Sequence, residues 1–251
     1  MYVGVAAAVL MPLLGTVLGA GGVCFLRACP GKLWQAGLQG FAGGVMVAAS
    51  VWSLLIPAME QMAHWQRLAF LPAVAGVWLG VAFLGLLDRV FTEKSRARLG
   101  SNTMLVLAVA LHNLPEGMAV GAVVAGWLSG LEGITMASVL ALSGGIALQN
   151  LPEGAIISMP LCAHGMRKGR SFGYGALSGV VEPVGAVATV LLAELAVPVL
   201  PLCLSFSAGA MLYVVAQELL PALEEGKCRR VGTILFCVGF TVMMAMDVAL
   251  G

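Results

Sequence analysis

Apolar residues run through almost the whole chain in long blocks, and polar residues gather in short separators between them. The blocks cover 3–26, 35–58, 68–87, 101–126, 132–160, 171–194, 197–220 and 231–250. Each reaches the roughly 20 residues that cross a hydrocarbon core. Backbone groups cannot stay unpaired in lipid, and the ten-residue alternation of a membrane barrel is missing, so the blocks predict helices. The expected fold is therefore an all-α integral membrane protein with eight transmembrane helices in a single domain, 1–251. Over 101–160 the hydropathy is interrupted by Glu132 and by Pro115 and Pro152.

Composition supports the same solvent. Hydrophobic residues make up 60% of the chain without counting its 33 glycines, against roughly 45–50% with glycine in a soluble domain. Charged residues make up 10%, against about 25%. A soluble helical protein needs more charged cover than this.

Charge placement tests the helix count. With the connections assigned alternately to two sides, one side holds Arg27, Lys32, Arg89, Lys94, Arg96, Arg98, Arg167, Lys168, Arg170, Lys227, Arg229 and Arg230. The other holds only Arg67. Basic loops stay cytoplasmic, which predicts a multi-pass inner-membrane protein with both termini outside the cytoplasm. The first block has no basic n-region and is too long for a cleaved signal, so it reads as a span. The six cysteines form no CxxC pair and read as packing residues. No GxxxxGK[ST] loop is present to suggest an ATP-driven pump. The basic loops are explained by topology, without nucleic-acid binding.

Three carboxylates fall where they are expensive. Glu116, Glu153 and Glu182 sit inside apolar blocks, at roughly 2.5–3.5 kcal/mol each on insertion scales unless paired or hydrated. In HNLPEG, residues 112–117, His112 and Glu116 are four apart and share a helical face, while Asn113 lies three before Glu116. Pro115 removes an amide and crowds the carbonyl of Leu111, predicting a bend that frees an oxygen. QNLPEG at 149–154 repeats the pattern with Gln149, Asn150 and Glu153, and Pro152 acts on the carbonyl of Leu148. In SGVVEPVG at 178–185, Glu182 precedes Pro183, which acts on Gly179.

The segments together offer one imidazole, three carboxylates and three amides, with no intramembrane lysine or arginine. A divalent transition metal suits that mixed donor set: zinc, iron, manganese or cobalt. One such ion cannot neutralise three carboxylates, so either a second metal is bound or one carboxylate carries a proton.

These motifs resemble those of the ZIP family of divalent metal transporters, most closely its small bacterial GufA-like and ZupT-like branch. HNLPEG, QNLPEG and SGVVEP are similar to that family's fourth-, fifth- and sixth-helix elements. FAGGVMVAASVWSLLIPAME at 41–60 and SAGAMLYVVAQELLPAL at 207–223 resemble its second and seventh helices. The resemblance implies a primary site of His112, Glu116, Gln149 and Glu153, with both glutamates bridging to a second ion held with Asn113, Asn150 and Glu182. It also implies an inverted repeat pairing helices 1–3 with 6–8 around helices 4 and 5, elevator-like movement of helices 1, 4, 5 and 6, and a homodimer in the lipid bilayer. Gln149 stands where many members have histidine, which shifts the donor set toward oxygen. The connection 88–100 contains no histidine, so a histidine-rich sensing loop of the eukaryotic kind is not expected.

Outside the centre, Asp88 reads either as a surface partner of Arg89 or as an exit relay. Glu218 and Asp247 are candidates for accessory metal or proton roles. Glu60 and His64 read as solvated outer-surface residues, Ser50 as a packing residue, and His164, Glu224 and Glu225 as loop residues that can meet released cations. The expected function is uptake of Zn²⁺, with Fe²⁺, Mn²⁺, Co²⁺ or Cd²⁺ as further substrates, and no enzymatic step. HNLPE is not the HExxH of a metalloprotease. A proton-coupled carrier of a small solute and a metal exporter of the same fold are the competing readings.

Overall fold

The apolar blocks fold as long helices because only helical hydrogen bonding satisfies their backbones without water. A computed structural model describes residues 2–25, 31–95, 101–163, 165–221, 223 and 226–250, with side chains described for these except 91–95, 101–109, 111, 112, 163, 196, 198, 218 and 250. Among the described residues there are eight long helical segments: α1 Tyr2–Phe25, α2 Lys32–Gln61, α3 Phe70–Ser95, α4 Ser101–Leu128, α5 Met136–Ala163, α6 Lys168–Leu191, α7 Leu200–Gln217 and α8 Lys227–Leu250. Seven lie within about four residues of the blocks read from the sequence, and α3 runs past its block, from 87 to Ser95.

Among the described residues, six of these, α1, α2, α3, α6, α7 and α8, are both long and apolar enough to cross a membrane. The protein is an all-α, multi-spanning membrane protein. The remaining two, α4 and α5, have 28 residues each, about 42 Å at 1.5 Å per residue. Each carries one of the polar hexapeptides.

Three helices depart from regular geometry, each near a proline. A π-helical turn occupies Ser50–Leu55 in α2, and Pro57 just beyond it crowds the carbonyl of Ser53. A second π turn, Val215–Leu219, overlaps the end of α7 and runs two residues past it, ahead of Pro221. In α6 the helix is interrupted at Val180, between Lys168–Gly179 and Val181–Leu191, where Pro183 cannot donate to Gly179. By contrast, α4 and α5 stay helical through Pro115 and Pro152.

The helices pair closely: α1 lies along α5, α4 along α6, α2 along α8 and α3 along α7, and α1 also packs on α6. This leaves two four-helix groups, α1/α4/α5/α6 and α2/α3/α7/α8. They meet where α2 and α8 touch α5 and where α7 touches α4. A buried apolar cluster lies along that meeting surface, with Met46, Leu54, Ile146, Leu204, Met211 and Met243 among its largest members.

Candidate metal site

The repeated hexapeptides face each other across α4 and α5, and the broken middle of α6 closes the third side. Asn113, Glu116, Gln149, Asn150 and Glu182 are wholly buried, and Glu153 is half-buried. The i, i+3, i+4 spacing that put each set on one face of its helix thus delivers them to a common interior. The His112 side chain lies outside the described residues, although its backbone belongs to α4 beside Asn113.

Hydrogen bonds in this interior follow one rule: amide nitrogens are engaged by protein acceptors, and oxygens are left over. Gln149 donates from Nε2 to Glu116 Oε1 at 2.6 Å. Asn113 donates from Nδ2 to Glu182 Oε1 at 2.8 Å and to the Ser178 carbonyl at 3.4 Å. Asn150 donates from Nδ2 to the Pro12 carbonyl at 3.3 Å. Asn113 Oδ1, Glu116 Oε2, Gln149 Oε1, Asn150 Oδ1 and Glu182 Oε2 are buried without a hydrogen-bond partner.

Buried acceptors without donors are costly, about 1–3 kcal/mol each and more for charged groups. Five in one place make a site that only a donor or a cation can complete. Electrostatics sharpen the point, since Glu153 repels both Glu116 and Glu182, and those two repel each other. No lysine or arginine is buried among the described residues to offset them. Nor, among those residues, do three His, Cys, Asp or Glu side chains form a metal-holding group by themselves. The donor set is carboxylate plus amide oxygen, which are hard-to-borderline ligands.

Thr16 was not legible in the sequence. It is a wholly buried residue of α1 whose Oγ1 donates to Glu182 Oε1 at 3.0 Å. A single hydroxyl in an apolar helix carries no spacing signature, and Pro12 takes part only through its carbonyl.

A cavity of about 690 Å³ opens between the two helix groups, lined by Trp52, Ser53, Glu60, Glu132, Ser138 and Asp247 among others. Ser53 donates to Asp247 Oδ1 at 2.7 Å, and Asp247 Oδ2 is buried with no partner. Glu60 lines this cavity and is exposed, and His64, nearby in sequence, is exposed as well. Ser53 and Glu132 were not singled out as candidate residues from sequence, whereas Asp247 was. Ser50 is buried and bonded to the Met46 carbonyl at 2.8 Å, which fits its packing role. Asp88 is exposed. The Glu218 side chain and residues His164, Glu224 and Glu225 lie outside the described residues. Cys24, Cys162, Cys203, Cys228 and Cys237 are free thiols.

Sequence comparison agrees with the motifs. The profile of a family described as "ZIP Zinc transporter" matches residues 92–247. The chain is 34% identical to the zinc transporter GufA of Myxococcus xanthus, over 95% of this chain and 96% of that protein. It is 30% identical to zinc transporter ZIP11 of Xenopus tropicalis, over 97% of this chain and 98% of the relative. With the zinc transporter ZIPB of Bordetella bronchiseptica the identity is 33%, over 94% of this chain and 78% of that one.

Proposed function

This chain belongs to the ZIP zinc transporter family, and on that premise we propose that it carries Zn²⁺ from the extracytoplasmic side into the cytoplasm. It is a transporter and not an enzyme. The observation that carries the reading is the set of five buried, partnerless oxygens on Asn113, Glu116, Gln149, Asn150 and Glu182. In this reading His112, Glu116, Gln149 and Glu153 hold a first ion. Asn113, Asn150 and Glu182 hold a second, with Glu116 and Glu153 bridging. Two dications offset three carboxylates that the low-dielectric interior cannot otherwise keep charged. Fe²⁺, Mn²⁺, Co²⁺ and Cd²⁺ satisfy the same donors and are the further candidate substrates.

All eight helices cross the membrane in this reading, as one domain, with the basic connections inside and both termini outside. The acidic cavity at Glu60, Glu132 and Asp247 then lies on the extracytoplasmic side and gathers cations. A negative-inside voltage favours inward movement by roughly 2.3 kcal/mol per charge per 100 mV.

Two features support an inverted repeat of α1–α3 with α6–α8. The close pairs map onto each other under that exchange, α1/α5 onto α6/α4 and α2/α8 onto α7/α3. The π turns in α2 and α7 are likewise related.

Glycine placement supports the elevator motion. A Cβ at Gly19 would meet the Leu151 backbone (α1/α5), at Gly117 that of Glu182 (α4/α6), at Gly40 that of Gly232 (α2/α8) and at Gly80 that of Phe206 (α3/α7). Each of these backbone-to-backbone contacts lies within one four-helix group. Across the boundary a Cβ at Gly145 would meet the side chains of Met243 and Met246, and one at Gly126 the side chain of Leu200 together with those of Ile134 and Leu131 in the α4–α5 connection. Rigid seams inside each group and flexible side chains between them suit α1/α4/α5/α6 sliding as a unit. A homodimer gives the other group a fixed frame in the bilayer.

Zinc uptake into proteoliposomes tests the proposal. Uptake is lost in Glu116→Ala and Glu153→Ala while each protein still purifies as a folded species. Undiminished uptake in both variants overturns the site.

A further inference from the structure

We propose that Thr16 is a positioning residue: from α1, which supplies none of the ligands named above, its hydroxyl orients Glu182 so that one carboxylate oxygen is presented to the second ion. The inference rests on the metal-transport reading and adds to it a residue that neither the motifs nor the family resemblance points to.

The geometry is specific. Thr16 Oγ1 has two acceptors within reach, the Pro12 carbonyl at 3.4 Å and Glu182 Oε1 at 3.0 Å. A hydroxyl has one proton to give, and the nearer, carboxylate oxygen takes it. Asn113 Nδ2 donates to that same oxygen at 2.8 Å. Two donors from two helices therefore hold Oε1, and Oε2 is left buried without a partner. Without Thr16, Oε1 loses one of its two donors, and rotation about the carboxylate's last bond can turn either oxygen toward the site.

The same stretch of α1 acts on a second proposed ligand. The Pro12 carbonyl receives Asn150 Nδ2 at 3.3 Å, and Asn150 Oδ1 is left without a partner. One turn of an otherwise apolar helix thus sets which atoms of Asn150 and Glu182 remain to bind a cation. This is the pattern of outer groups that orient metal ligands, whose loss typically costs about 10–100-fold in affinity.

Packing offers a competing explanation, because a Cβ at Gly179 would lie about 2.8 to 2.9 Å from the Thr16 side chain. Two substitutions separate the explanations. Thr16→Val keeps the volume and removes the donor, whereas Thr16→Ser keeps the donor and removes the methyl group. A positioning role ranks Ser above Val, and a packing role ranks Val above Ser.

The experiment is equilibrium Zn²⁺ binding to the purified full chain, with proteoliposome uptake measured in parallel. The expected result is that Thr16→Val retains the first ion and binds the second at least about tenfold more weakly, with uptake reduced, while Thr16→Ser matches the wild type. Thr16→Val equal to the wild type, or Thr16→Ser the weaker of the two, overturns the positioning role and leaves the transport reading intact. A wild type that neither binds nor takes up zinc overturns both.

Discussion

Gln149 on α5 donates its side-chain amide to Glu116 on α4 at 2.6 Å, so the position that distinguishes the second hexapeptide from the first is tied directly to the carboxylate of the other. This bond leaves Gln149 Oε1 and Glu116 Oε2 without partners. Both are oxygens, and the arrangement favours a cation that accepts oxygen donors.

Gln149→His replaces that amide with an imidazole, a softer donor. The ratio of zinc to manganese uptake, measured in competition in proteoliposomes, is expected to rise several-fold. An unchanged ratio removes Gln149 from the ions' contact shell.

Glu182→Ala removes a carboxylate held by Thr16 and Asn113 on the side of the proposed second ion. Metal analysis of the purified protein is expected to fall from two ions to one, with the remaining ion bound as tightly as before. Loss of both ions contradicts the division of ligands.

Asp247→Asn leaves the Ser53 contact geometrically possible but discharges the cavity mouth. Cation capture weakens while the transfer step is untouched. Zinc KM is expected to rise several-fold with maximal rate unchanged, and a fall in maximal rate alone places Asp247 at a later step.

Gly19→Ala drives a methyl group into the Leu151 backbone, whereas Gly145→Ala meets the ends of the Met243 and Met246 side chains. Overpacking against backbone costs about 1–3 kcal/mol, and a flexible methionine can move aside. Thermal unfolding in detergent is expected to shift down by several degrees for Gly19→Ala and by little for Gly145→Ala. Equal shifts argue against rigid seams within the groups.

Adjacent positions on α5 test the motion itself. In a background lacking the native cysteines, paired cysteines at Gly145 and Met243 join α5 to α8 across the boundary. Pairs at Gly144 and Met11 join α5 to α1 within one group, where a Gly144 Cβ would lie 3.7 Å from the Met11 sulfur. The first cross-link is expected to stop uptake until reduced, and the second to leave it running. Uptake that survives the first cross-link rules out sliding at this surface.

The sequence alone determined what is local or periodic. Apolar runs of span length define helices because the bilayer tolerates no other fully bonded backbone in an open chain. Spacings of three and four place Asn113 with Glu116, and Asn150 with Glu153, whatever the partner helix. The proline signal was ambiguous: Pro183 accompanies the break in α6, whereas Pro115 and Pro152 lie in helices that run on unbroken. The packing of helix on helix belongs to the tertiary structure. Thr16 and Glu182 are 166 residues apart, and Ser53 and Asp247 are 194 apart. Such pairs depend on the register and rotation of separate helices, which no periodicity within one helix encodes. For the same reason only the folded chain decided which atoms of the motif amides are engaged and which are left for a cation, and which glycines press on backbone and which on side chains.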